Sequence, residues 1–340
     1  MDQPPVVIVQ HQAEAGLPAR PSGYARGVWH PEDLVRLDGT PWIVVSAMRS
    51  VRGKGALLAL REDAPTPAIE LEWAPASEAG RRGAAKFDPH GIDVRRLRDG
   101  AFELLVVDHG AGEAIDRLVI ETTGGRPVVV GGSRIEKPAG TSGNAVAFEV
   151  GGGFVMTSMF DPRDRDILRK FAAAEITGGV WRWREADGWR RVGPDLSGAN
   201  GIAVSPVDGA IIVSEWAARR LWRLSRTGAV QASVPVDFLP DNLRWADDGT
   251  LLLAGQASRP EAVFGCEARG EPCPLAYVVA RVAPENLEVT HLVRVSQSEA
   301  LADGFGGATG ALQVGSEIWV ASFTGERIAR FPAPPPSDLP

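Results

Sequence analysis

Six segments of this chain open on a residue that can bind a cation or move a proton. Glu32 opens EDLVRLDGTPWIVVSA, His90 opens HGIDVRRLRDGAFELLVVDH, and Asn144 opens NAVAFEVGGGFVMTSM. Asn200 stands early in SGANGIAVSPVDGAIIVSEW, Asp241 and Asn242 open DNLRWADDGTLLLAG, and Thr309 opens TGALQVGSEIWVASF. Carboxylates and carboxamides are oxygen donors, the set that a hard cation takes, whereas zinc is more at home among nitrogen and sulfur. Turn capping explains any one of these residues alone, since Asn and Asp favour turn starts. It explains the set poorly, because Ser or Gly would serve as caps equally often.

The elements that must position these residues repeat with them. Each opener leads into a short apolar strand, a Gly turn such as Asp208-Gly209, and a second apolar strand. Gly accepts the positive φ such turns need. Six strand-rich units of this kind mark a propeller or another repeat array. In a propeller the innermost strand of every blade starts at the same end of the central axis, so equivalent positions converge. The expected fold is an all-β, six-bladed β-propeller with one short helical insert. Residues 1–24 form an N-terminal segment whose VVIV at 6–9 is a candidate ring-closing strand, 25–331 the propeller, and 332–340 a loose Pro-rich tail.

His90 and His109 are placed symmetrically about Asp99-Gly100, the turn of their hairpin. Residues equidistant from the turn of an antiparallel hairpin face each other. The two imidazoles are therefore expected side by side at the convergent end, where a histidine pair beside a cation can act as a general base toward water. His11, His30 and His291 lack such a partner and read as surface or structural residues. No GxSxG elbow or phosphate-binding Gly loop is found, which gives serine-hydrolase and nucleotide readings no foothold.

The net charge of −7 without a Lys/Arg run argues against nucleic acid as a partner. No apolar run approaches the ~18 residues of a membrane span, and MDQPPVVIVQHQ lacks the basic and apolar regions of a signal peptide. The two cysteines, Cys266 and Cys273, lie in a stretch that reads as a polar loop. As a disulfide they imply a periplasmic or secreted setting; as free thiols they imply nothing about compartment. The segment Asp161–Ala174 reads as a helix with Asp161 as N-cap, Ile167, Leu168 and Phe171 on its apolar face, and Gly178-Gly179 as its stop. Inserted after a second strand, it would sit near the mouth as a lid or a packing element.

DPHGIDV, LLVVDHG, SGANGIAVS and LPDNLRW together resemble the signature segments of the paraoxonases, and more distantly the chain is similar to the SMP-30/gluconolactonase propellers. The likeness runs in order over roughly residues 25–331. It implies calcium in the central tunnel, held by Glu32, Asn144, Asn200, Asp241 and Asn242, with His90 and His109 as the catalytic pair. It also implies a second, deeper ion on Asp33 and the carbonyl of Ile92. The third ligand position of that site holds Ala145, so it is expected to be empty or weak. Gln256 stands near the pocket where the paraoxonases have histidine, and their membrane-associated N-terminal helix has no counterpart; substrate range and membrane attachment do not carry over.

The expected activity is a calcium-dependent hydrolase that opens lactones or cleaves aryl esters, with a small-molecule lactone or ester as partner. The alternatives are a sugar lactonase of the SMP-30 kind, which needs a polar pocket, and a non-enzymatic propeller whose calcium is structural, which needs no histidine pair.

Overall fold

The computed structural model describes residues 20–49, 54–65, 67–74, 87–110, 112–269 and 273–334. Their strands form six sheets. The first blade holds β1 (Pro31–Arg36), β2 (Trp42–Ala47), β3 (Ala56–Arg61) and β4 (Ile69–Glu70). The second begins on β5 (Pro89–Arg96) and β6 (Phe102–Asp108), the third on β7 (Ser142–Phe148), and the fourth on β8 (Ala199–Val204). The fifth begins on β9 (Leu239–Trp245) and the sixth on β10 (Ala308–Val314). These innermost strands touch one another in sequence, and β10 returns to β1, so the ring is closed.

Closure is made by the first strand of the described residues. Gly23–Arg26 pairs antiparallel with Arg327–Pro332 and completes the sixth blade. VVIV at 6–9 lies outside the described residues.

The core is divided among the blades. Buried apolar clusters lie between neighbouring blades. Leu105, Val107 and Ile115 of the second blade, for instance, meet Val146, Phe154 and Met156 of the third. Each fully buried Leu, Ile or Val contributes about 1.5–3 kcal/mol relative to exposure. A further cluster caps the mouth: Phe171, Trp216, Leu239, Val263 and Cys266 are buried together.

The helical content departs from expectation. Three α-helices are present among the described residues, not one. Helix α1 is Ile167–Ala172, shorter than read from sequence, and Asp166 occupies its N-cap position without a side-chain cap bond. Asp161 does not cap it; its carboxylate accepts from the Arg163 backbone N–H at 3.0 Å and binds the Arg163 guanidinium. Gly178-Gly179 do not stop it, because they already begin the strand Gly178–Arg184. Helix α2, Pro260–Arg269, replaces the expected cysteine loop and packs on α1. Helix α3, Gln297–Asp303, carries a Ser296/Glu299 capping box and ends on Gly304 at φ 72°. Among the described residues no helix is long and apolar enough to cross a membrane.

Candidate active site

One local device aims the openers. In every blade the register between the innermost strand and the next is broken at the opener. It slips between Pro31 and Asp33, Pro89 and Ile92, Gly143 and Val146, Ala199 and Ile202, Pro240 and Leu243, and Ala308 and Ala311. A β-bulge bends its strand and re-aims a side chain. Six equivalent bulges turn Glu32, His90, Asn144, Asn200, Asp241 and Thr309 toward one end of the tunnel.

The second bulge residue explains how the ring packs. It is Gly91, Gly201 and Gly310 in three alternate blades, and Asp33, Ala145 and Asn242 in the other three. A Cβ on Gly91 would lie 2.4 Å from the Asn144 carbonyl oxygen, and one on Gly201 2.2 Å from that of Asp241. Only glycine lets these bulges nest against the next blade.

The openers line a cavity of about 400 Å³. Glu32, Asn144, Asn200, Asp241 and Asn242 are all buried. Asn242 Nδ2 donates to Glu32 Oε1 at 2.6 Å, and Asn144 Nδ2 lies 3.1 Å from His90 Nε2. Asp241 accepts from Asn200 and, at 2.8 Å, from Gln256 Nε2. Gln256 is itself fixed, because its Oε1 accepts from Trp216 Nε1 at 2.9 Å. Thr309 is a different case: its hydroxyl donates to the Glu32 carbonyl at 2.7 Å, and so ties the sixth blade to the first.

Four oxygens on this floor are left over. Glu32 Oε2, Asn144 Oδ1, Asn200 Oδ1 and Asn242 Oδ1 are buried without a hydrogen-bond partner. A buried polar atom with no partner costs about 1–3 kcal/mol, so four in one place call for a donor or a cation. Two carboxylates and three carboxamides form an all-oxygen set. Among the described residues no cluster of three or more His, Cys, Asp or Glu groups is found that could hold a metal. Burial and the neighbouring Asp33 and Asp241 push the Glu32 carboxyl well up, and burial pushes Asp241 up to about 7. Without a cation both carboxyl groups are therefore biased toward their neutral, protonated forms.

The histidines meet as their spacing predicts. Their rings stand edge to face, 5.3 Å apart. The backbone N–H of His109 donates to the Asp88 carbonyl at 3.0 Å, just past the last ladder pair, Pro89 with Asp108. His90 Nε2 faces the donor set, 3.6 Å from Glu32 Oε1. Burial, with the positive charges of His109 and Lys137, holds His90 well below the ordinary imidazole value. At neutral pH it is the free base.

Several residues with a part in this site carried no signal in the repeat pattern. His109 Nδ1 is 2.7 Å from Glu113 Oε1, and the Lys137 ammonium, its side chain fully buried, binds Glu113 Oε2. Glu113 lies in the turn before Ala114–Glu121 and Lys137 just past the strand Val128–Glu136, outside the period of the openers. Part of the wall is apolar, with Met48, Met159, Phe160, Val263, Phe264 and Phe323, and part is polar, with Arg49, Asp88 and Ser142. Val263 and Phe264 come from α2, which the disulfide Cys266–Cys273 joins to the next segment. Of the remaining histidines, His30 binds the Phe323 carbonyl at 2.8 Å and His291 lies 3.4 Å from Asp237; His11 is outside the described residues.

In the deeper layer, Asp33 is fully buried and does not lack partners. It accepts from the backbone N–H groups of Leu34 at 2.9 Å and Ile92 at 3.0 Å. Arg244 Nη2 binds both Asp33 Oδ2 and the Ile92 carbonyl, the two groups at which a second ion was expected.

Neither a family model nor a curated protein matches the chain. Solved structures do match it. A gluconolactonase from Xanthomonas campestris is 16% identical with a TM-score of 0.55, over 92% of this chain and 88% of that one. A putative oxidoreductase (glucose dehydrogenase) from Thermus thermophilus is 16% identical with a TM-score of 0.52, over 93% and 100%. Virginiamycin B lyase from Staphylococcus aureus is 12% identical with a TM-score of 0.51, over 93% and 98%. At such identities these likenesses show the shared fold, and the three names describe three chemistries.

Proposed function

We propose that this protein is a calcium-dependent hydrolase that opens lactones, with aryl esters as a second substrate class. The observation that carries the reading is the group of four unpartnered buried oxygens, Glu32 Oε2, Asn144 Oδ1, Asn200 Oδ1 and Asn242 Oδ1, beside an uncharged His90. With Asp241 they are the residues that would hold calcium. When bound, calcium would polarise the substrate carbonyl and stabilise the charge that develops on its oxygen.

The chain's own groups supply the proton chemistry. His90 takes a proton from the water that attacks the carbonyl carbon, and its conjugate acid returns one to the ring oxygen as the acyl–oxygen bond breaks. His109 holds the ring of His90 edge-on and, when charged, helps to keep it neutral. Glu113 accepts from His109 Nδ1 and so fixes that imidazole's tautomer, while Lys137 binds the other oxygen of Glu113. Gln256 plays the same orienting part for Asp241.

The lining has an apolar face and a polar one. Phe160, Val263, Phe264 and Phe323 offer an apolar substituent a place to be buried, and Arg49, Asp88, Glu113 and Ser142 are among the polar groups around it. The apolar face, which the proton chemistry does not use, favours a lactone with an apolar chain or ring. The disulfide fits a periplasmic or secreted setting. The test is hydrolysis of a panel of alkyl-substituted lactones, gluconolactone and aryl acetates, with and without chelator. Turnover of the apolar lactones that chelation abolishes and calcium restores is expected. Full activity in chelator, or none on any member, would overturn the reading.

A further inference from the structure

The deeper layer of the tunnel already contains a cation. Arg244 is buried, and its guanidinium is surrounded by oxygen. Nη2 serves Asp33 Oδ2 and the Ile92 carbonyl, Nε donates to the Leu34 carbonyl at 3.2 Å, and Nη1 to the Leu243 carbonyl at 3.3 Å. One carboxylate and three backbone carbonyls, from the first, second and fifth blades, form an oxygen cage of the kind a hard divalent ion takes. Arg244 and Asp93 also line a second cavity, of about 290 Å³, at the other end of the tunnel. That cavity shares no lining residue with the first, and Arg244 reaches from it to Asp33, the neighbour of the first cavity's Glu32.

We propose that Arg244 is the resident cation of this deeper cage: its guanidinium fills a divalent-cation position, so that the ring is held together there by a side chain and not by an ion. Alternation around the tunnel explains why the cage suits an arginine. Asp33, Ala145 and Asn242 are equivalent second bulge residues of alternate blades, and Ala145 brings a methyl where its counterpart brings a carboxylate. A single carboxylate holds a divalent ion poorly, whereas it balances one guanidinium. The five N–H donors of a guanidinium match several carbonyls at once, and it cannot be deprotonated in a protein or removed by a chelator.

The proposal stands apart from the hydrolase reading, because it is tested by a difference in ion count. Calcium titration calorimetry and terbium luminescence are run on the full chain stripped with chelator, as wild type, Arg244→Ala, Arg244→Lys and Arg244→Ala with Ala145→Asp. Arg244→Ala is expected to take one ion more than wild type, and Ala145→Asp to tighten that extra ion. In chelator the Tm of Arg244→Ala should fall by about 5–15 °C, since the buried Asp33 has lost its partner, and calcium should restore most of it. If wild type binds no ion at all, the hydrolase reading falls and the expected difference of one is unchanged. Two ions in wild type, or an Arg244→Ala chain that gains no ion and whose Tm calcium does not raise, would overturn the proposal. Should Arg244→Ala not fold, Arg244→Lys decides: its ammonium should keep the wild-type ion count, with a Tm that calcium does not raise, and an additional ion in that variant is the contrary result.

Discussion

The first and second residues of the six bulges are neighbours in sequence, and the structure treats them in opposite ways. The first residues, together with Asn242, face the mouth and leave four buried oxygens without partners. Asp33, a second residue, lies in the deeper tunnel, where it is hydrogen-bonded to Leu34, Ile92 and Arg244. Both layers carry buried acid. One is satisfied as folded, and the other leaves oxygens unsatisfied. What separates the layers is the partners that the fold supplies, more than the count of acidic residues.

The comparison breaks most readily at the upper layer. Asp241→Ala should remove calcium binding and lower kcat/KM by about 10³-fold or more, because the charge that develops on the carbonyl oxygen then lacks its stabiliser. Calorimetry and lactone turnover read the two effects on one sample. Unchanged calcium affinity in this variant would show that the open oxygens are not the binding site.

A smaller effect is expected one step outward, at the bases. His90→Gln should cost about 10²–10⁴-fold in kcat and leave calcium affinity near wild type. The acid limb of the wild-type rate profile should lie below pH ~6.5, since His90 is held below the ordinary imidazole value and only its neutral form accepts a proton. A limb above that pH, or its persistence in His90→Gln, would remove His90 from the role of base. Glu113→Gln should lower kcat by about 10–100-fold with KM little changed, because it loosens the orientation of His109 and leaves the apolar walls intact. An effect confined to KM would place Glu113 in substrate binding.

The ring and its contents were legible because a closed propeller repeats: equivalent positions must converge, so the openers could be read without a single contact. The histidine pair was legible for a related reason, since a hairpin's turn sets what faces what. Glu113, Lys137 and Arg244 obey no period. Each acts across blades or from an outer strand, and sequence distance says nothing about that. Helix α2 was hidden by its polar content, although Pro260 at its first position is a start signal. For α3 the signals were present and unused: Ser296 with Glu299, then Gly304, are the start and stop of a short helix.

The smallest effect separates the two layers by pH. In metal-free protein, burial raises Asp241 to about 7, against an ordinary 3.8. Between those values the folded chain binds more protons than the unfolded one. Stability from this group is therefore full below about pH 4 and is lost as pH rises through about 7. The Tm of the stripped protein should drift down by a few degrees from pH 5 to pH 8, once the other groups are subtracted by comparison with Asp241→Asn. On the proposed reading calcium would bind the ionised carboxylate, and it should flatten or reverse the drift, with proton release on binding below pH 7. The deeper layer should contribute no calcium-dependent part, because Arg244 keeps its charge over the whole range. Parallel wild-type and Asp241→Asn curves in chelator would mean that Asp241 is ionised without the ion, and that the upper layer is less unsatisfied than its unpartnered oxygens indicate.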